Sequence, residues 1–141
     1  MTNKQRKFFR LAKNASEMSS FPRAQIGCVV THGSKVVCVG FNSRKSSPTQ
    51  KKYNKYRDFY TDDTNTEPFH LLHAETSALR QLRYLDIDTS QCEVWTYREF
   101  KDGSPAIARP CSACLQMIKD LKIKKIHYST NDGFADEEII Y

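Results

Sequence analysis

A chain of 141 residues, 27% charged and 39% hydrophobic, has the size and composition of one folded domain spanning 1–141, able to bury a single core. It contains no run of about 18 apolar residues that could cross a membrane, and its basic opening, Met1-Thr2-Asn3-Lys4-Gln5-Arg6-Lys7, is not followed by a signal-type apolar stretch, so a cytoplasmic protein is expected. The net charge of +6 favours anionic partners, nucleotides or a nucleic-acid backbone, although a modest lysine excess is common.

Residues 3 to 18 place Phe8, Leu11, Ala12, Ala15 and Met18 three and four apart, one face of a helix. Ser19-Ser20-Phe21-Pro22 ends it, because the residue before proline avoids the helical region. Two β-branched runs follow, Gln25 to Thr31 and Lys35 to Phe41, separated by His32-Gly33-Ser34: a hairpin. From Asn42 to Phe69 periodicity disappears and basic, aromatic and polar residues mix, which predicts a long loop of functional kind. Leu72 to Tyr84 has helical spacing, Cys92 to Arg98 alternates as a strand, and Phe100 to Arg109 carries the Gly103 and Pro105 of a loop. Cys111 to Leu121 is a further helix, Ile123 to Ser129 a strand, and Asn131-Asp132-Gly133 a turn.

Helix, hairpin, helix, strand, helix, strand is the order of an α/β protein: a mixed sheet of four or five strands between helical layers. The tail is too short for a parallel return, since a crossover alone needs about a dozen residues. A fifth strand over Glu138 to Tyr141 would therefore run antiparallel to the fourth; a helical stub over Ala135 to Ile140 is the other outcome.

Five cysteines are an odd number, and two of them form Cys111-Ser112-Ala113-Cys114 behind Pro110. In a reducing compartment a C-x-x-C pair with a histidine elsewhere reads as metal binding before disulfide. Cys28, Cys38 and Cys92 lie in apolar runs and read as small buried hydrophobes. His73, Cys111 and Cys114 would offer one nitrogen and two sulfurs, a set suited to tetrahedral Zn2+ with its fourth position open to water. Glu75, two residues beyond His73, is placed to move protons on that water. A closed structural site completed by His70, one turn earlier, is the bland alternative, but it leaves Glu75 without a role.

His73-Ala74-Glu75 with Pro110-Cys111-x-x-Cys114 is also the signature of zinc-dependent nucleobase deaminases. With Ala78-Leu79 after Glu75 and Ile118 after Cys114, the chain from about residue 20 to 130 resembles the cytidine and deoxycytidylate deaminase superfamily, and looks similar to its small phage and bacterial deoxycytidylate deaminase-like members. The resemblance implies the three-layer α/β/α cytidine-deaminase-like fold, Zn2+ held by His73, Cys111 and Cys114, and Glu75 as the catalytic proton carrier. It further implies that Asn42 binds the sugar or base of the substrate and that the backbone N–H of Ala74 meets the pyrimidine carbonyl. Arg109 is either directed at a phosphate or a solvated loop residue. Relatives often complete their sites across subunits, so a homo-oligomer is expected. In such proteins an antiparallel last strand goes with nucleoside-type enzymes and a parallel one with deoxycytidylate and tRNA-type enzymes.

The implied activity is hydrolytic deamination of a cytosine nucleotide or nucleoside. A deaminase acting on single-stranded DNA or RNA is the alternative, because Lys51, Lys52, Tyr53, Lys55, Tyr56, Arg57, Phe59 and Tyr60 interleave charge with stacking surface. The same 42–69 segment equally suits a lid over one nucleotide, or a solvated, partly helical insertion whose aromatics pack on the domain. A guanine- or pterin-type deaminase and a catalytically idle zinc-stabilised module also share the motif.

Overall fold

A computed structural model describes residues 1–19, 24–45, 47–56 and 71–139. Helix α1 (Asn3–Ser16) opens on a capping box, in which Thr2 accepts from the backbone of Gln5 and the Gln5 side chain accepts from the backbone of Thr2. Its apolar stripe, Phe8, Phe9 and Ala12, packs with Val29, Trp95 and Tyr97 on one face of the sheet. The helix stops at Ser16, two residues before the expected end, and Ser20 to Arg23 lie outside the described residues.

Strands β1 (Ile26–His32) and β2 (Lys35–Phe41) form the expected hairpin. Gly33 takes a φ of +63° at the first turn position, which an L side chain rarely adopts. After β2, where periodicity predicts a long loop and a partly helical insertion is one reading of it, α2 (Pro48–Asn54) forms. Ser47 caps it by accepting from Gln50, and Pro48 opens it with a preset φ. Of the 42–69 segment, Ser46 and residues 57–69 lie outside the described residues, as does His70.

The helix expected over Leu72 to Tyr84 divides into α3 (Ala74–Leu79) and a tighter 3-10 turn, Arg80–Tyr84. Strand β3 (Cys92–Glu99) follows, then the two-residue β4 (Pro105–Ala106) within the predicted loop, helix α4 (Ser112–Asp120) and strand β5 (Lys125–Thr130). The tail turns at Asn131 and Asp132 and returns as β6 (Gly133–Glu138), antiparallel to β5. The antiparallel direction is the one expected. The strand begins earlier than Glu138 because the turn reverses the chain at once, and the stub over Ala135 to Ile140 is not helical through Ile139.

The sheet has six strands where four or five are expected, because the loop before α4 contributes β4; its order is β2-β1-β3-β5-β6 with β4 paired to β3, and β3 and β5 are parallel. Strand alternation sends Trp95 and Tyr97 towards α1 and Val94 towards the opposite face. There Val94 joins a core with Cys28, Val30, Ala78, Leu79, Ala113, Ile118 and Ile126, between the sheet and helices α3 and α4. Cys28, Cys38 and Cys92 are buried, unpaired members of that core, as their sequence context predicts. The architecture is the expected α/β one, and it brings the N-termini of α3 and α4 together beside the carboxyl end of β3.

Candidate active site

His73 is the N-cap of α3 and Cys111 the N-cap of α4, and neither side chain caps its own helix. Both are thereby free to meet between the helices. The sulfurs of Cys111 and Cys114 each lie 3.5 Å from His73 Nδ1. A tetrahedral ion about 2.3 Å from sulfur and about 2.0 Å from nitrogen separates two such atoms by roughly 3.5 Å. The three donors, all within 4.8 Å of one another, thus fit a zinc ion in chemistry and in spacing. One histidine and two cysteines leave a tetrahedral ion one further position.

The helix ends supply positive potential here through their unpaired N–H groups, which favours thiolate. Cys111 is drawn down to about 3 by the hydrogen bond from the Cys114 thiol and by His73, against the opposing effect of burial. Cys114, giving that hydrogen bond from a buried position, is raised in turn. The pair thus shares one readily lost proton. Thr76, fully buried one turn into α3, lies 3.7 Å from the Cys114 sulfur and can donate to it.

Glu75 is 6% exposed and lines the same cavity as His73 and Cys111. Burial raises its carboxyl above the ordinary value, the proximity of His73 opposes this, and the Cys111 charge adds to it. A carboxyl held in this way is suited to take up and release a proton.

The cavity has a volume of about 430 Å³, within the range of small-molecule sites. Its inner wall is His73, Ala74, Glu75 and Cys111, and its outer wall includes Ile26, Asn42, Arg98, Ile107 and Arg109. All seven residues singled out in the sequence except Cys114 line it; Cys114 is buried behind Cys111. Asn42 faces the cavity while bridging strand ends: its Oδ1 accepts from the N–H of Ile26 at 3.0 Å and its Nδ2 donates to Ala24 at 2.6 Å. A carboxamide has capacity for one further bond at each end. Arg109 makes a two-pronged ion pair with Glu137, at 2.6 and 3.2 Å. Tyr128 donates to the same carboxylate.

Three positions carry structure or charge that the sequence does not announce. Gln50 of α2 is wholly buried; its Oε1 accepts from the backbone N–H of His73 at 3.1 Å and its Nε2 donates to Asn54. Together with the backbone bonds Ser43 to Leu72 and Leu72 to Lys45, it fixes the chain entering α3. The Ser47-Pro48 start signal could have revealed α2, but nothing local reveals that Gln50 reaches His73. Thr76 and Arg98 are likewise silent in the sequence, because what surrounds them is distant along the chain.

A family model described as the cytidine and deoxycytidylate deaminase zinc-binding region matches residues 2–130. Among curated proteins the chain is 26% identical over 129 residues to a probable deoxycytidylate deaminase of Caenorhabditis elegans, covering 91% of this chain and 58% of that protein. It is 25% identical over 122 residues to an uncharacterized deaminase of Aliivibrio fischeri, covering 86% of this chain and 69% of that one. Among solved structures, a cytidine deaminase from Burkholderia pseudomallei superposes with a TM-score of 0.65 at 16% identity, over 98% of this chain and 93% of that one. The dCMP deaminase of cyanophage S-TIM5, in complex with dCMP and dUMP, superposes with a TM-score of 0.62 at 22% identity, over 91% and 82%. These superpositions show a shared fold.

Proposed function

The chain belongs to the cytidine and deoxycytidylate deaminase family, and from that premise we propose that it hydrolytically deaminates a free cytosine nucleotide or nucleoside with the help of zinc. One observation carries the proposal: a buried carboxyl, Glu75, lines a small cavity with His73 and Cys111, two of the three donors of the fitting His73, Cys111 and Cys114 set. Zinc, when bound there, supplies a Lewis acid that makes a water molecule acidic near neutral pH. Glu75 accepts a proton from that water on a carboxylate oxygen and delivers it to the pyrimidine ring nitrogen. It then carries the second proton to the departing amine. Water oxygen replaces the exocyclic nitrogen, the carbon–nitrogen bond breaks, and ammonia and the uracil compound leave. Ile107 and Ala108 give the cavity wall apolar surface, and the carboxamide of Asn42 is available to orient the sugar or base.

The choice of a monomeric substrate rests on the small size of the cavity and on α2. Tyr53, one of the aromatics that could have stacked on a single strand, is buried and donates to Asp120 of α4 at 2.8 Å. Lys52 and Lys55 lie over the rings of Tyr53 and Tyr56. Tyr53 thus serves packing, whereas Tyr56 stays exposed. Among the described residues no helix is long and apolar enough to cross a membrane.

The deciding experiment measures ammonia release by zinc-loaded protein from cytidine, deoxycytidine, their monophosphates, guanine, and single-stranded DNA and RNA oligonucleotides. Turnover of a cytosine monomer is expected, and Glu75→Gln should abolish it while keeping zinc and fold. Turnover confined to oligonucleotides, falling steeply as salt rises, would replace this reading with that of a nucleic-acid deaminase. Full activity in Glu75→Gln would remove the carboxylate from the mechanism.

A further inference from the structure

The segment from Ile107 to Arg109 forms part of the cavity wall and lies beyond the end of its own strand. All three residues line the cavity, and Ile107 is 46% exposed, so its surface is free to meet a ligand. The ladder of β4 with β3 ends at Ala106, opposite Arg98. What holds the segment from there on is the β5–β6 hairpin. The Ser129 Oγ donates to the carbonyl of Ala106 at 2.6 Å, and the carbonyl of Ser129 accepts from the N–H of Ala108 at 2.9 Å. Arg109 is paired with Glu137 of β6. Between these anchors the N–H of Ile107 donates to the side-chain Oδ1 of Asn131, in the turn of the hairpin, at 2.9 Å.

The turn itself does not require asparagine at position 131. Asparagine is favoured in turns because it tolerates positive φ and because its side chain accepts from the backbone two residues on. Neither reason applies here. Among the described residues Lys122 is the one non-glycine residue with a positive φ. Asp88 and Asp102 do accept from the N–H two residues on, at Ser90 and Ser104, whereas Asn131 makes no such bond among the described residues and reaches across to Ile107. Cys111, beyond the segment, is seated independently, because its carbonyl accepts from the N–H of Leu115 at 2.8 Å in the first turn of α4. The Asn131 bond therefore bears on the wall and not on the metal ligand. Resting on the function proposed above, we infer that Asn131 is a positioning residue for the substrate: through the Ile107 N–H it holds the cavity wall at the depth at which a cytosine monomer is gripped. The β5–β6 hairpin then acts on binding, and the helix starts that carry His73, Glu75 and Cys111 act on the chemistry.

The test compares wild type with Asn131→Ala, Asn131→Gly and Asn131→Asp. Asp132→Ala, which removes a side chain without a partner among the described residues, is the control on the same turn. Each protein is zinc-loaded and checked for metal content and melting temperature. The readouts are hydrogen exchange at the Ile107 amide, calorimetric binding of uridine and dUMP, which needs no turnover, and kcat and KM for cytidine and dCMP. Asn131→Ala and Asn131→Gly should speed exchange at Ile107. Both should weaken uridine and dUMP binding and raise KM by about 2- to 10-fold, the scale of one hydrogen bond, with kcat and zinc content unchanged. Asn131→Asp keeps an oxygen acceptor and should keep most of the affinity, and Asp132→Ala should match wild type. Faster exchange at Ile107 with unchanged affinity for both uracil compounds would overturn the inference while leaving the deaminase reading in place. So would an equal effect of Asp132→Ala, which would assign it to the turn, or a joint fall of zinc and kcat, which would assign it to Cys111. A wild type that deaminates no cytosine compound, yet binds uridine or dUMP more tightly than Asn131→Ala does, would uphold the positioning role and defeat the deaminase reading. A wild type that binds neither would defeat both.

Discussion

The metal donors meet because two short sequence spacings, His73 to Glu75 and Cys111 to Cys114, are placed at facing helix starts. Removing one sulfur should therefore cost more than affinity. With Cys114→Ala, zinc content by elemental analysis should fall from about one per chain towards none, since two donors bind far more weakly than three. A chelator should lower the melting temperature of wild type and leave that of Cys114→Ala unmoved, because metal binding and folding are coupled. A variant that kept full zinc would show that Cys114 is not a ligand. These residues are legible in the sequence because their chemistry sits within three or four positions of chain. Gln50 is not. It acts through a backbone N–H twenty-three residues away. Asn42 is legible as a residue facing the substrate region, but its bonds to Ile26 and Ala24 are long-range and emerge only in the folded chain.

Helices are seated on this sheet by close approach at two glycines. A Cβ on Gly27 would lie 2.0 Å from the carbonyl oxygen of Ala12 and 2.4 Å from the nitrogen of Ser16, both backbone atoms of α1. One on Gly40 would lie 2.5 Å from the nitrogen of Ala78 in α3. Gly27→Ala must push α1 off the sheet, and chemical denaturation should show a loss at the upper end of about 1–3 kcal/mol or beyond. Gly33→Ala meets no atom within 4 Å and carries only the strain of a positive φ, so its cost should be about 1–2 kcal/mol. Equal losses would mean that α1 is loosely seated. At the same scale α2 acts as a buttress. Gln50→Leu deprives the His73 N–H of this acceptor and Asn54 of a donor. It should weaken zinc binding by about 10-fold, as lost outer contacts to ligands generally do, with the fold intact by circular dichroism. The hairpin and α4 can be read from periodicity, whereas α2 cannot. Its buried polar residues, Gln50 and Asn54, carry no apolar stripe.

The edge strand β6 is fastened to the whole molecule by carboxylates on both faces, and this makes acid the natural way to open it. On the helical face Glu137 accepts from Arg109 and Tyr128, and the Arg109 hydrogen bonds hold its carboxyl below the ordinary value. On the α1 face the ring of buried His127, stacked flat on Trp95, lies between Asp136 of β6 and Glu93 of β3. Burial raises Glu93, but the His127 hydrogen bond and the Lys4 charge outweigh it and the net shift is downward. A carboxyl lowered in the folded state adds stability above its unfolded value, about 4.3, and that stability is lost as pH falls through the folded value. Protonation also adds positive charge to a chain already at +6. The melting temperature should therefore be steady above about pH 5 and fall increasingly as the pH drops below about 4.3. Glu137→Gln should lower the plateau and flatten the acid slope, because the group that must take up the proton is gone. If its acid slope matched wild type, the Arg109 pair would contribute nothing to the anchoring of β6. Arg109 would then be free of Glu137 in solution.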